Sequence, residues 1–268
     1  MTRVLSPGAD RIVRPALLGV LFHDAVDGRP VHGEHLVVEA LDSWRPDQPQ
    51  RLRPSHGGVY GLHQLRGVQT LLEQSTGPDD LLESPPQDGR LSLRVQDRSG
   101  WYVPTSVRPT WPSGEILRVP LYSAISRPPP LGLGHLQVDL RRRSDAEQPA
   151  AWAWLSLRLG ASVLAEGPAD AQGRAQLVFP YPKPREGLAH GSPALAEALL
   201  DWSVTLHARW QAAPAFTGLP DWASLRAQPA VSLLQAVSPD LALAPLSLQA
   251  GHPLEAHRSP SSFVFVAD

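Results

Sequence analysis

The sequence predicts an all-β protein: two tandem antiparallel β-sandwiches with a short helix and a C-terminal extension. Three observations predict it. From Ala153 to Leu159 the odd positions Ala153, Leu155, Leu157 and Leu159 are apolar, with Ser156 and Arg158 opposite, so one face can be buried and the other wetted. Val204, Leu206, Ala208 and Trp210 alternate with Thr205, His207 and Arg209 in the same way. Between such runs lie short turns built from Asp, Gly and Pro, the punctuation of a many-stranded protein.

Taken in order, residues 1–14 read as a loose arm. Residues 15–124 form the first sandwich. Its first strand is Leu17 to Phe22, followed by a turn at Asp24 to Pro30 with Gly28 at the left-handed position. Leu36 to Leu41 is a second strand, and Asp42 to Pro54 reads as a polar, proline-bearing loop. A short strand runs from Gly57 through Leu65, and Leu71 to Gly89 reads as a loop. Leu91 to Val95 alternates strictly, Asp97-Arg98-Ser99-Gly100 turns the chain into Trp101-Tyr102-Val103, and Val119 to Tyr122 ends the unit.

Residues 125–134 are a linker, and Pro128-Pro129-Pro130 makes it a stiff spacer that holds two units at a defined angle. Residues 135–213 form the second sandwich, opening with Leu136, Val138 and Leu140. Its hairpins follow: Ala153 to Leu159, a short return at Val163 to Ala165, an acidic turn at Asp170-Ala171-Gln172-Gly173, and Ala175 to Phe179. Ser192-Pro193 reads as a helix start, with Leu195, Leu199 and Trp202 on one face. Residues 214–268 are too few for an independent core, so they either complete the second unit or dock on a neighbouring subunit. Within them a short helix is expected near Asp221 to Ala227, with strands at Val231 to Gln235, Leu246 to Ala250 and Phe263 to Val266.

Composition narrows the chemistry. A formal net charge of −2 provides no basic field for nucleic acid. There are no cysteines, which removes disulfides, thiolate metal sites and cysteine nucleophiles together. Arginine is used in place of lysine almost throughout, Lys183 being the only lysine, and no GxxxxGK phosphate loop exists. Ala16 to Phe22 is too short to span a bilayer and lacks a cleavage pattern, so the chain is expected to be cytoplasmic when made, without membrane insertion.

Asp24-Ala25-Val26-Asp27-Gly28-Arg29-Pro30-Val31 with Gly57-Gly58-Val59-Tyr60, and again Ala169-Asp170-Ala171-Gln172-Gly173-Arg174, resemble the turns of the carboxypeptidase regulatory-like domain. That resemblance implies a prealbumin-like (Ig-like) sandwich of about seven strands and no catalytic residues. The tandem arrangement, with Gln96 to Pro104 and the Phe179-Pro180-Tyr181-Pro182 ending, resembles accessory proteins of phage-tail-like contractile injection particles. It implies a structural role near a baseplate or cap, with protein subunits as partners.

Candidate sites are few. His32-Gly33-Glu34-His35 offers two imidazoles and a carboxylate without the spacing of a zinc motif, and reads as a solvated turn. Ser55-His56 with Asp24 lacks a nucleophile elbow. No cofactor, metal or catalytic set is expected. The candidate interface residues are Arg141, Arg142 and Arg143, the densest cationic cluster, together with Trp152, Trp154, Trp222, Phe263 and Phe265. Trp152 and Trp154, two residues apart, are expected to share a face. Seven of the tryptophans also suggest the alternative of an adhesin or carbohydrate-binding module, with exposed rings as a stacking platform.

Overall fold

The computed structural model describes residues 16, 18–42, 45–63, 91–110, 115–183, 201–212, 218–256 and 262–267. The N-terminal arm, the loop at Leu71 to Gly89, Trp111 and the helix start at Ser192-Pro193 lie outside the described residues.

The first unit stacks two sheets. One has the order β4-β1-β7, from β1 (Leu18–Asp24), β4 (Val59–Leu62) and β7 (Ile116–Leu121). The other has the order β3-β2-β5-β6, from β2 (Leu36–Asp42), β3 (Arg45–Leu52), β5 (Leu91–Asp97) and β6 (Thr105–Val107). Burial along β1 alternates strictly, so Leu18, Val20 and Phe22 point inward to meet Val38, Tyr60, Leu91 and Leu93. Phe22 and Tyr60 meet edge to face, with ring centres 5.3 Å apart. Most pairs are antiparallel, but β7 lies parallel to β1, from Gly19↔Ile116 to Asp24↔Leu121.

The second unit is larger. One sheet has the order β10-β9-β12-β13, from β9 (Trp154–Leu159), β10 (Ser162–Pro168), β12 (Asp201–Arg209) and β13 (Ala230–Val231), and β16 (Leu246–Gln249) also pairs with β12. The facing sheet has the order β11-β8-β18-β14-β15, from β8 (Gly134–Arg142), β11 (Arg174–Phe179), β14 (Leu233–Val237), β15 (Asp240–Ala242) and β18 (Val264–Val266). In addition, β17 (Leu254–Glu255) pairs parallel to β8. Between the sheets Leu136, Leu140, Leu155, Leu157, Phe179, Val204, Leu248, Val264 and Val266 form one buried cluster. Strands downstream of residue 229 thus fill the core and line both sheets of the second unit.

Acidic turns shape the hairpins. The Asp170 carboxylate accepts from the Gln172 and Arg174 amides at 2.8 and 2.9 Å. Gly173 then turns left-handed (φ 77°), and a β-carbon there would sit 2.5 Å from the Leu140 carbonyl oxygen, so only glycine fits. Asp97 acts likewise, accepting from the amides of Ser99, Trp101 and Tyr102.

Some local expectations change. The polar stretch after Asp42 is strand β3, paired with β2 from Val38↔Leu52 onward. β3 is an edge strand, where proline is tolerated because half the amides need no partner. The return after Gly160 is the seven-residue β10, with a register shift between Val163 and Ala165. Trp202 belongs to β12 rather than to a helix, opposite Leu248. The expected helix near Asp221 is present as α1 (Trp222–Arg226), with Asp221 accepting from the Ser224 amide at 2.8 Å as its N-cap.

Candidate functional site

Among the described residues, an extended arrangement of polar and aromatic side chains lies where the two units meet. Asp24 closes β1 and is almost fully buried. One of its oxygens accepts from the Val26 amide (2.8 Å); the other accepts from the Tyr102 hydroxyl (3.0 Å) and pairs with the Arg127 guanidinium. Arg127 also donates to Ser123 Oγ (2.9 Å) and lies over the Tyr102 ring, 5.1 Å from its centre. Its carbonyl accepts from the Gln176 side chain at 2.9 Å, and Gln176 accepts from Gln137 at 2.8 Å. A single network therefore runs from β1 through the linker into β11 and β8. Burial first, then the neighbouring Asp24 charge, pushes the Tyr102 hydroxyl well above its ordinary range, so it remains a donor.

Beside this network, Val103, Tyr122, Trp154, Trp222 and Leu225 form a small apolar cluster. Tyr122 meets Trp154 and Trp222 edge to face, at 5.1 and 5.3 Å. Arg226 stacks over Trp154 at 4.6 Å, donates to the Tyr122 hydroxyl at 2.6 Å and pairs with Glu166. Burial pushes the Tyr122 hydroxyl up to about 12, with Arg226 working against the rise.

Between the units opens a cleft of about 520 Å³, lined from the first by His23, Val26, Pro120 and Tyr122. From the second come Val163, Leu164, Ala165 and Glu166 of β10, with Gln176 and Val178 of β11. Four consecutive β10 residues line one wall, and the register shift between Val163 and Ala165 falls among them, so the strand borders the cleft along its irregular stretch. β11 presents alternate residues, hence a face. β10 pairs only with β9 and its other edge is unpartnered by any strand among the described residues. Val163 stands half exposed at the rim. Desolvation, then Arg118, pushes the His23 imidazole below its ordinary value, so the cleft disfavours its charged form.

The residues singled out from sequence mostly find partners within the chain. Arg141 pairs with Asp139 at 3.1 Å and lies over the Phe263 ring, Arg142 lies over Trp210, and Arg143 pairs with Asp240 at 2.6 Å. The arginine cluster is thus engaged within the chain. Trp154, Trp222 and Phe265 are buried, while Trp152 and Phe263 are partly so. Trp152 precedes β9 with a left-handed φ of 61°, which breaks the alternation that would align it with Trp154; both nonetheless pack at the junction cluster. A buried Trp154 cannot serve as a stacking platform for sugar. Among the described residues no group of three or more His, Asp or Glu side chains converges to hold a metal. No helix among them is long and apolar enough to cross a membrane.

Sequence reasoning missed Asp24, Tyr102, Arg127 and Gln176 as partners. Asp24 and Arg127 are 103 positions apart, and no periodicity links them.

No family model matches the chain, and no curated protein matches it. Solved structures overlap it loosely. The Bacillus anthracis TIE protein covers 94% of the chain at 11% identity and a TM-score of 0.25. A streptococcal ancillary pilin covers 94% at 9% identity and 0.23. A point mutant of the shaft pilin spaA from Lactobacillus rhamnosus GG covers 94% at 7% identity and 0.24. The chain spans 34% of the first of these proteins, 62% of the second and 97% of the third. Overlaps at these scores establish no common topology.

Proposed function

We propose that this protein is a non-enzymatic structural subunit that joins protein neighbours through the β10 sheet edge, with its two sandwiches acting as one spacer. The observation that carries this reading is β10, whose second edge pairs with no strand among the described residues and which borders an open cleft with half-exposed Val163 at its rim. An unpaired edge offers a row of amides and carbonyls that an extended segment of another chain satisfies by adding a strand. Recognition of this kind needs directional backbone hydrogen bonds and no reactive side chain. The narrower reading, a baseplate or cap component of a contractile injection particle made in the cytoplasm and then incorporated, rests on the sequence resemblance.

Val163→Lys tests the proposal, because lysine on an edge strand opposes strand addition while a half-exposed position leaves the core intact. Sedimentation of the purified chain, alone and with proteins encoded beside it, is expected to show complexes with the native chain and their loss in the variant at unchanged melting temperature. Complexes that persist in Val163→Lys would refute the role of β10.

A further inference from the structure

The junction holds a second kind of information, about how the two units are held. The chain leaves β12 in the second unit, reaches the first unit at Leu219 and Pro220, and returns to the second at Gln228. At the outward end, Ser106 donates its amide to the Pro220 carbonyl (2.9 Å) and its hydroxyl to the Leu219 carbonyl (2.7 Å). Thr105 Oγ1 donates to the Pro220 carbonyl at 3.0 Å, and Trp222 Nε1 donates to the Pro120 carbonyl at 2.8 Å. All of these acceptors or donors on the far side belong to β6 and β7 of the first unit. At the return end, Gln228 donates to the Trp152 carbonyl (3.0 Å), and Trp210 donates its amide to the Pro229 carbonyl (3.0 Å).

The segment between these anchors has little reason to be ordered by itself. Five helical residues are far below the length at which a helix holds alone in water. Only Trp222 and Leu225 of α1 are buried, and both belong to the junction cluster rather than to either sandwich core. Gly218, with a left-handed φ of 103° that glycine adopts readily, stands at its entry. Arg226, near its end, grips Tyr122 and Glu166, and both of those side chains line the inter-unit cleft.

We propose that residues 218–228 form a latch that fixes the angle between the two units, and that its release widens the cleft while both sandwiches stay folded. Segments whose burial is separate from a core open at lower free energy than the core itself. The latch goes beyond the assembly reading and stands whether or not β10 receives a strand.

The absence of cysteine makes the test clean. Gln50→Cys and Gln148→Cys, one exposed position in each unit, accept spin labels without any native thiol to block. Pulsed electron-spin distance measurements are made on this labelled chain and on the same chain carrying Trp222→Ala, with amide hydrogen exchange followed in parallel. The expected result is one narrow distance in the parent and at least a doubled width in Trp222→Ala, with protection of β8, β9 and β12 retained. Thr105→Val with Ser106→Ala removes side-chain contacts made only from the first unit, and is expected to widen the distribution less. An unchanged width in Trp222→Ala overturns the latch. So does loss of protection across the second unit, which would make α1 a pillar of that sandwich.

Discussion

The two sandwiches are closed in different ways. In the first unit every described strand from β1 to β7 comes from one continuous stretch of chain before the linker. In the second, β8 is flanked by β11 on one side and by β17 and β18, from far downstream, on the other. The register Leu140↔Val264 spans almost the whole second half of the protein. Similar architecture is thus reached by nearby pairing in one case and by a long return in the other, and only the second unit depends on residues after the junction segment.

The sharpest way to break this comparison is truncation. Removing residues 230–268 takes away β13 through β18 and with them Leu233, Leu246, Leu248, Leu254, Val264 and Val266 from the core. Each buried Leu or Val contributes about 1.5–3 kcal/mol by its removal from water, and the six together are comparable to the whole stability of an ordinary domain. The second unit is expected to lose its hydrogen-exchange protection entirely, while the first keeps its own. Retained protection in β8 and β9 would contradict the dependence.

Asp24→Ala acts next. It leaves the Arg127 guanidinium buried without its carboxylate and strips the Tyr102 hydroxyl of its acceptor, a loss of about 3–5 kcal/mol. Because the network reaches Gln176, denaturant unfolding is expected to register the change in both units, whereas a purely local effect would shift the first alone.

Proton linkage sharpens the junction further. Tyr122 has a raised folded-state value, so its contribution is fully present below pH 10 and is lost as pH climbs from 10 towards about 12. His23 has a lowered value, so its contribution is present above pH 6.5 and declines as pH falls below that. Chemical denaturation across pH is expected to show a plateau between these limits. His23→Gln is expected to flatten the acid side and leave the alkaline side unchanged.

The smallest effects compare equivalent turns. Asp97→Ala in the first unit and Asp170→Ala in the second each remove carboxylate acceptors from turn amides, at about 1–3 kcal/mol. Thermal melts are expected to show similar shifts, since the third amide donor on Asp97 is offset by the Arg174 ion pair on Asp170.

The alternation of β9 and β12, the Asp-Gly turns and the short helix near Asp221 were all legible in the sequence, since each is a local signal with a local cause. β3 was not, because Arg45 to Leu52 carries two prolines and few apolar residues, and only its place at a sheet edge makes such a strand acceptable. Trp202 fits a helical spacing with Leu195 and Leu199 as well as a strand, and pairing with β16 decides between them. The candidate interface residues show the same limit: an aromatic or arginine side chain suited to contact does not reveal whether the other surface belongs to the same chain. Arg141, Arg142, Trp154 and Trp222 find theirs within it.

The parallel pairing of β8 with β18 also sets a schedule for synthesis. As the chain emerges from the ribosome, the first unit can fold while the second is still being translated. A nascent second unit, with β8, β9 and β12 already made, keeps one row of β8 amides open until Leu254–Glu255 and then Val264–Val266 arrive. During that interval the exposed row is a natural target for chaperones and for unwanted strand pairing, a hazard from which the amino-terminal sandwich is spared.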